Sequence, residues 1–129
     1  MQSKKTLLIL ALALPALLAC VNPSRADEFE NLSIRLERNV TDDDAEAVIE
    51  IKVEEGGLAT LLIIAPDGRR IARFESRNRR NLGAREMLLE TPEPNPTAVL
   101  RSYPPGTYRF LGKTLDGEEL SGEAELSHA

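Results

Sequence analysis

Cys20 is the only cysteine in this 129-residue chain. A single thiol cannot close an intramolecular disulfide, and in an exported protein an unpaired one needs another use. The remaining chemistry-bearing residues are less well placed. His128 is the only histidine and lies one residue from the end, where chain is usually mobile. Ser121 and Ser127 are close to it in sequence, but neither sits in a Gly-x-Ser-x-Gly run, and a nucleophile needs an oriented base. Acids are plentiful, so pairs such as Glu50 and Glu54 are expected to line a wet strand face. Asp42-Asp43-Asp44 lacks the spacing of a calcium loop, and a calcium cage draws 6–8 oxygens from several positions. The sequence therefore points to no catalytic residue, no metal ligand and no cofactor. Its most unusual charge feature is basic. Arg69, Arg70, Arg73, Arg77, Arg79, Arg80 and Arg85 crowd one stretch in which Glu75 is the only acid. A guanidinium fork binds phosphate and carboxylate well, so this is a candidate patch for lipid headgroups, anionic glycans or an acidic partner. The plainer reading, preferred on charge pattern alone, is an exposed hairpin whose charges pair locally and discourage edge-to-edge association.

The position of Cys20 gives it a role. Lys4 and Lys5 open the chain without an acid, and Thr6 to Ala19 is almost wholly apolar. A basic start, a short apolar run and small residues after it make a secretory leader. The run is shorter than the roughly 20 residues a spanning helix needs, and Pro15 interrupts it. Leu17-Leu18-Ala19-Cys20 then resembles the lipobox of bacterial lipoproteins, although Leu18 is bulkier than the residue usual at its place. The resemblance implies a thioether lipid on Cys20 and cleavage before it. That divides the chain into a leader (1–19), a lipidated tether (20–28) and a domain (29–129). Each buried methylene contributes about 0.8 kcal/mol, and stable anchoring takes more than one chain. Val21 stands where that family places Asp for inner-membrane retention, so the analogy implies the outer membrane, facing the periplasm. The alternative is ordinary secretion, with Ser24-Arg25-Ala26 allowing cleavage before Asp27 and release into the periplasm or medium.

Removing the leader takes Lys4 and Lys5 with it, so the net charge moves from −5 to −7. An acidic domain of this kind lacks the basic footprint of a nucleic-acid binder. From Leu32 onward apolar residues recur at every second position, the period of a half-buried strand. Leu32, Ile34 and Leu36 form one run. Ala47, Ile49, Ile51 and Val53 form another, alternating with Val48, Glu50, Lys52 and Glu54. After a Gly56-Gly57 turn, Leu58 to Ala65 is more uniformly apolar and reads as a central strand. Asp67-Gly68 and Asp116-Gly117 each mark a hairpin, because glycine tolerates the positive φ of such turns. The first joins Leu58–Ala65 to a return strand near 69–75, and the second joins 107–115 to 118–126. A further strand falls near 84–90. Prolines 92, 94 and 96 mark a crossover, and 97–103 suits one irregular helical turn. About seven short antiparallel strands predict an all-β sandwich.

Pro104-Pro105-Gly106-Thr107-Tyr108-Arg109-Phe110 resembles the turn and late strand of immunoglobulin-like and fibronectin type III-like domains of bacterial surface proteins. The resemblance implies that Tyr108 bonds back to the backbone and fixes a corner. The chain has no Trp and no disulfide pair, unlike antibody-type domains. Together these features lead to an expectation of a non-catalytic, lipid-anchored cell-envelope module that binds or supports. Its partners would be the membrane, through the lipid on Cys20, and an anionic envelope component or a protein, with no nucleic acid. The alternatives are a soluble periplasmic or secreted binding protein and a non-catalytic subunit of an envelope enzyme complex.

Overall fold

The computed structural model describes residues 27–77 and 82–129. The leader, Cys20, the cleavage alternative at Ala26, and Arg79 and Arg80 lie outside the described residues. Eight strands and one helix follow in chain order: β1 (Asp27–Glu28), β2 (Asn31–Asn39), β3 (Asp44–Lys52), β4 (Leu58–Ile64), β5 (Arg70–Glu75), β6 (Glu86–Glu90), α1 (Pro96–Ser102), β7 (Gly106–Thr114) and β8 (Glu119–Leu126). They form two sheets, one of order β1-β8-β7-β4-β5 and one of order β2-β3-β6. All neighbours are antiparallel except the two-residue β1, which runs parallel to β8. The expected all-β sandwich is thus present.

Alternation explains the core. Ile49, Ile51 and Val53 face inward from β3 and the residue after it, and Leu61 and Ile63 face them from β4, with Tyr108, Phe110, Leu120 and Leu126 from β7 and β8. β4 lies between β7 and β5, the interior place in the sheet expected of its largely apolar sequence. Fully burying one such side chain contributes about 1.5–3 kcal/mol, so the interior rests on one contiguous set of aliphatic and aromatic residues.

Two places depart from simple alternation. Val48 occupies an outward position of β3 yet is fully buried. It pairs with Arg35 on one side and Glu90 on the other. Arg35 is held by Glu37 at 2.9 Å and Glu50 at 3.1 Å, and long charged side chains cover apolar surface with their stems. The second departure is α1, a seven-residue helix where one irregular turn was expected. The Asn95 side chain accepts a hydrogen bond from the Ala98 N–H at 3.0 Å, and Pro96 occupies the first turn, where its missing N–H costs nothing. Val99 packs against Ala45 and Ala47 of β3, whose small side chains leave room for the helix.

Tyr108 has the role expected of it. Its ring is fully buried, and its hydroxyl donates to the Pro104 carbonyl at 2.9 Å. Tyr103 stacks beside it with ring centroids 6.4 Å apart.

Candidate functional site

The outer face of the five-stranded sheet carries a shallow groove of about 770 Å³, crossing β5, β4, β7 and β8. Alternation builds it. Tyr108, Phe110 and Gly112 point inward from β7, so Arg109, Leu111 and Lys113 point outward. Leu61 and Ile63 point inward from β4, so Thr60 and Leu62 point outward. The register aligns Ser121, Leu111, Leu62 and Arg73 in one row across four strands. Glu123, Arg109, Ile64 and Arg70 form the row on one side of it, and Glu119, Lys113, Thr60 and Glu75 the row on the other. Leu62 and Leu111 therefore make an apolar floor, Arg70 and Arg73 stand on the β5 side, and Glu119 and Ser121 stand on the β8 side.

The fold separates the arginines of the basic stretch. Arg69 is tied into the β4–β5 turn, where its backbone N–H and its Nε both donate to the Asp67 carboxylate, at 3.1 and 2.6 Å. Its Nη2 donates to the Ser102 carbonyl at 2.9 Å, linking that turn to the end of α1. These donors hold the Asp67 carboxyl below its usual range, the Arg69 backbone N–H first and its guanidinium second. Arg73 and Arg77 both approach Glu75, each at 3.8 Å. These are long, exposed pairs worth little to stability. Arg70 and Lys113 have no ion-pair partner among the described residues, and both line the groove. Arg85 is exposed beside β6. So of the expected patch, Arg70 and Arg73 converge on one surface, Arg69 is structural, and Arg77 stands at the strand end.

Sequence reasoning missed the floor and far rim of the groove: Leu62, Leu111, Lys113, Glu119 and Ser121. A signal existed. Leu111 lies between the inward Phe110 and Gly112, which places a leucine on the outward face, where it is 42% exposed.

The other candidate groups are taken up locally. Asp42 accepts from the Asn39 side chain at 2.7 Å, and Asp43 pairs with Arg38 at 3.4 Å across the β2–β3 turn. The His128 Nε2–H donates to the Tyr103 carbonyl at 2.6 Å. Among the described residues no set of three His, Cys, Asp or Glu side chains is arranged to hold a metal ion. A second hollow of about 580 Å³, at the end where β1 enters, is lined by Glu28, Glu30, Glu54, Glu55 and Glu118. Lys52 reaches Glu30 there at 2.9 Å.

In comparisons with known proteins, no family model, no curated protein and no solved structure matches this chain.

Proposed function

We propose that this protein is a non-catalytic cell-envelope module, held at the membrane by lipid on Cys20, with an immunoglobulin-like or fibronectin type III-like sandwich that binds through the outer face of its larger sheet. The fold alone does not carry a function. What supports the binding part is one observation: Arg70 and Lys113, without partners among the described residues, beside a floor of two outward leucines. Outward leucines flanked by free cations suit a partner that brings both apolar surface and negative charge, either an anionic envelope component or a protein. The immunoglobulin-like reading is supported by the strand order and by Tyr108, whose hydroxyl reaches back four residues at the start of β7. The anchoring part is supported by Leu17-Leu18-Ala19-Cys20 after an apolar leader.

Metabolic labelling with a fatty-acid analogue tests the anchor. The expected result is label on the wild-type chain and none on Cys20→Ala. An unlabelled wild-type chain recovered with Asp27 at its N-terminus would replace this reading with soluble release.

A further inference from the structure

The charges of the outer face are arranged in stripes, and the stripes are complementary to themselves. β8 presents Glu119, Ser121, Glu123 and Glu125 outward, while β5 on the far side presents Arg70 and Arg73. Leu111 and Leu62 lie between them on adjacent strands, in one register row. A two-fold axis lying in this surface, parallel to the strands and between β7 and β4, exchanges β8 with β5 and β7 with β4. Under that operation each row meets its own copy. Glu123 meets Arg70 of the second copy, Ser121 meets its Arg73, and Leu111 meets its Leu62. Every contact occurs twice, as an isologous interface requires. Aligned packing of two sheets is also a common arrangement, with strand directions within about 30°. Two contacts oppose this pairing: one row sets Glu119 against Glu75, and the row of Glu123 and Arg70 also sets Arg109 against the apolar Ile64. Glu75 is buffered within its own copy by Arg73 and Arg77, whereas no ion pair joins Glu119 to its cross-strand neighbour Lys113.

We infer that the partner of this face is a second copy of the same chain, docked face to face with Leu62 and Leu111 at its centre. This rests on reading the face as a docking surface; the lipid anchor, which labelling reads separately, would set how often two copies meet. Size sets its strength. Four strands spaced about 4.8 Å apart, over some seven residues at about 3.3 Å each, make a face on the order of 400 Å² per copy. A standard interface buries about 800 Å² per partner, so the pair is weak and transient.

The test uses two differently tagged full-length copies co-expressed in the envelope, lightly cross-linked, solubilised and captured through one tag. Arg70→Glu in both copies, or Glu123→Arg in both copies, sets like charges against each other twice. Each is expected to lower co-capture at least fivefold. One Arg70→Glu copy with one Glu123→Arg copy places opposite charges at both contacts, so co-capture returns to near the wild-type level. That recovery also shows that both variants fold. If wild-type copies that carry the fatty-acid label do not co-capture, or if the mixed pair stays as low as the single variants, self-association is overturned. A drop with Arg70→Glu that Glu123→Arg neither reproduces nor rescues would assign the face to an anionic partner instead. None of these outcomes alters fatty-acid labelling at Cys20, so failure here is distinguishable from failure of the anchoring proposal.

Discussion

Tyr108 shows how one side chain can serve packing and polarity together. Its ring fills the centre of the sandwich against the aliphatic core, while its hydroxyl is spent on the Pro104 carbonyl just before β7. Removing only the hydroxyl isolates the second role. Tyr108→Phe is expected to cost about 1 kcal/mol, the net worth of a typical hydrogen bond. Tyr108→Ala should cost about 3–5 kcal/mol, as for other large buried aromatics. The pH dependence separates the two further. Burial first, then the neighbouring Tyr103 and Asp67, pushes the Tyr108 phenol up from 10.0 to about 12. Between those values the unfolded chain has released a proton that the folded chain keeps. Stability therefore falls as pH rises through that window, and the contribution is fully present below pH 10. Burial raises Tyr103 in the same direction, so Tyr108→Phe should make the alkaline decline shallower without abolishing it. Urea unfolding at a series of pH values from about 8 upward reads both effects. An unchanged slope in Tyr108→Phe would mean that the phenol titrates as freely in the folded chain as in the unfolded one.

At the level of elements, the entry of the chain is secured by a short strand and a wedge. β1 contributes only two residues, paired with Leu120 and Ser121. Phe29 follows and meets Phe110 edge-on at 6.4 Å. Its ring lies over Gly112 and Gly122, on adjacent strands, where any Cβ would press on it. At Gly112 a Cβ would lie 3.1 Å from Phe29 Cζ and 2.9 Å from Leu58 Cδ2. At Gly122 it would lie 3.2 Å from Phe29 Cδ2 and would also meet Leu32. Gly122→Ala is therefore expected to cost about 1–3 kcal/mol, as overpacking does. In combination with Phe29→Ala the two losses should sum to less than their separate values by at least about 0.5 kcal/mol, the coupling expected of residues in contact. Chemical denaturation of the four proteins of this cycle measures it, and strict additivity would show that Leu32, the nearer neighbour, takes up the whole clash. Phe29 also marks what the sequence could and could not disclose. The hairpins at Asp67-Gly68 and Asp116-Gly117, the alternating runs of β2 and β3, and the Tyr108 corner are local patterns, and each is readable along the chain. The wedge depends on residues 29, 112 and 122 meeting, and the row Ser121–Leu111–Leu62–Arg73 depends on the register of three strand pairs. Neither leaves a local trace. The burial of Val48 is hidden for the same reason, since its cover comes from β2 and β6 rather than from its own strand. Arg69 and Arg70 are adjacent in sequence, yet the fold ties one to Asp67 and Ser102 and leaves the other facing out.

For the whole molecule, the question is how a weak face could matter. A surface on the order of 400 Å² per copy is too small to hold two copies together in dilute solution. Confinement changes this, because tethering converts encounter in a volume into encounter at high local concentration. The described sandwich starts at Asp27, so only residues 21–26 separate it from Cys20. At about 3.5 Å per extended residue this short segment would keep the domain within about 25 Å of the lipid proposed on Cys20. The net charge of −7 expected after loss of the leader adds general repulsion between copies, which the opposed stripes of β8 and β5 must overcome locally. Anchoring and self-association are thus coupled in this proposal. Cys20→Ala leaves every residue of the outer face in place, and release before Asp27 would keep β1 whole. At matched expression its co-capture is nonetheless expected to fall about tenfold or more, while its unfolding midpoint stays unchanged. Cross-linking of tagged copies, compared between wild type and Cys20→Ala, measures the difference. Equal capture from both would mean that the association owes nothing to the membrane, and that the face binds its copy far more tightly than its area implies.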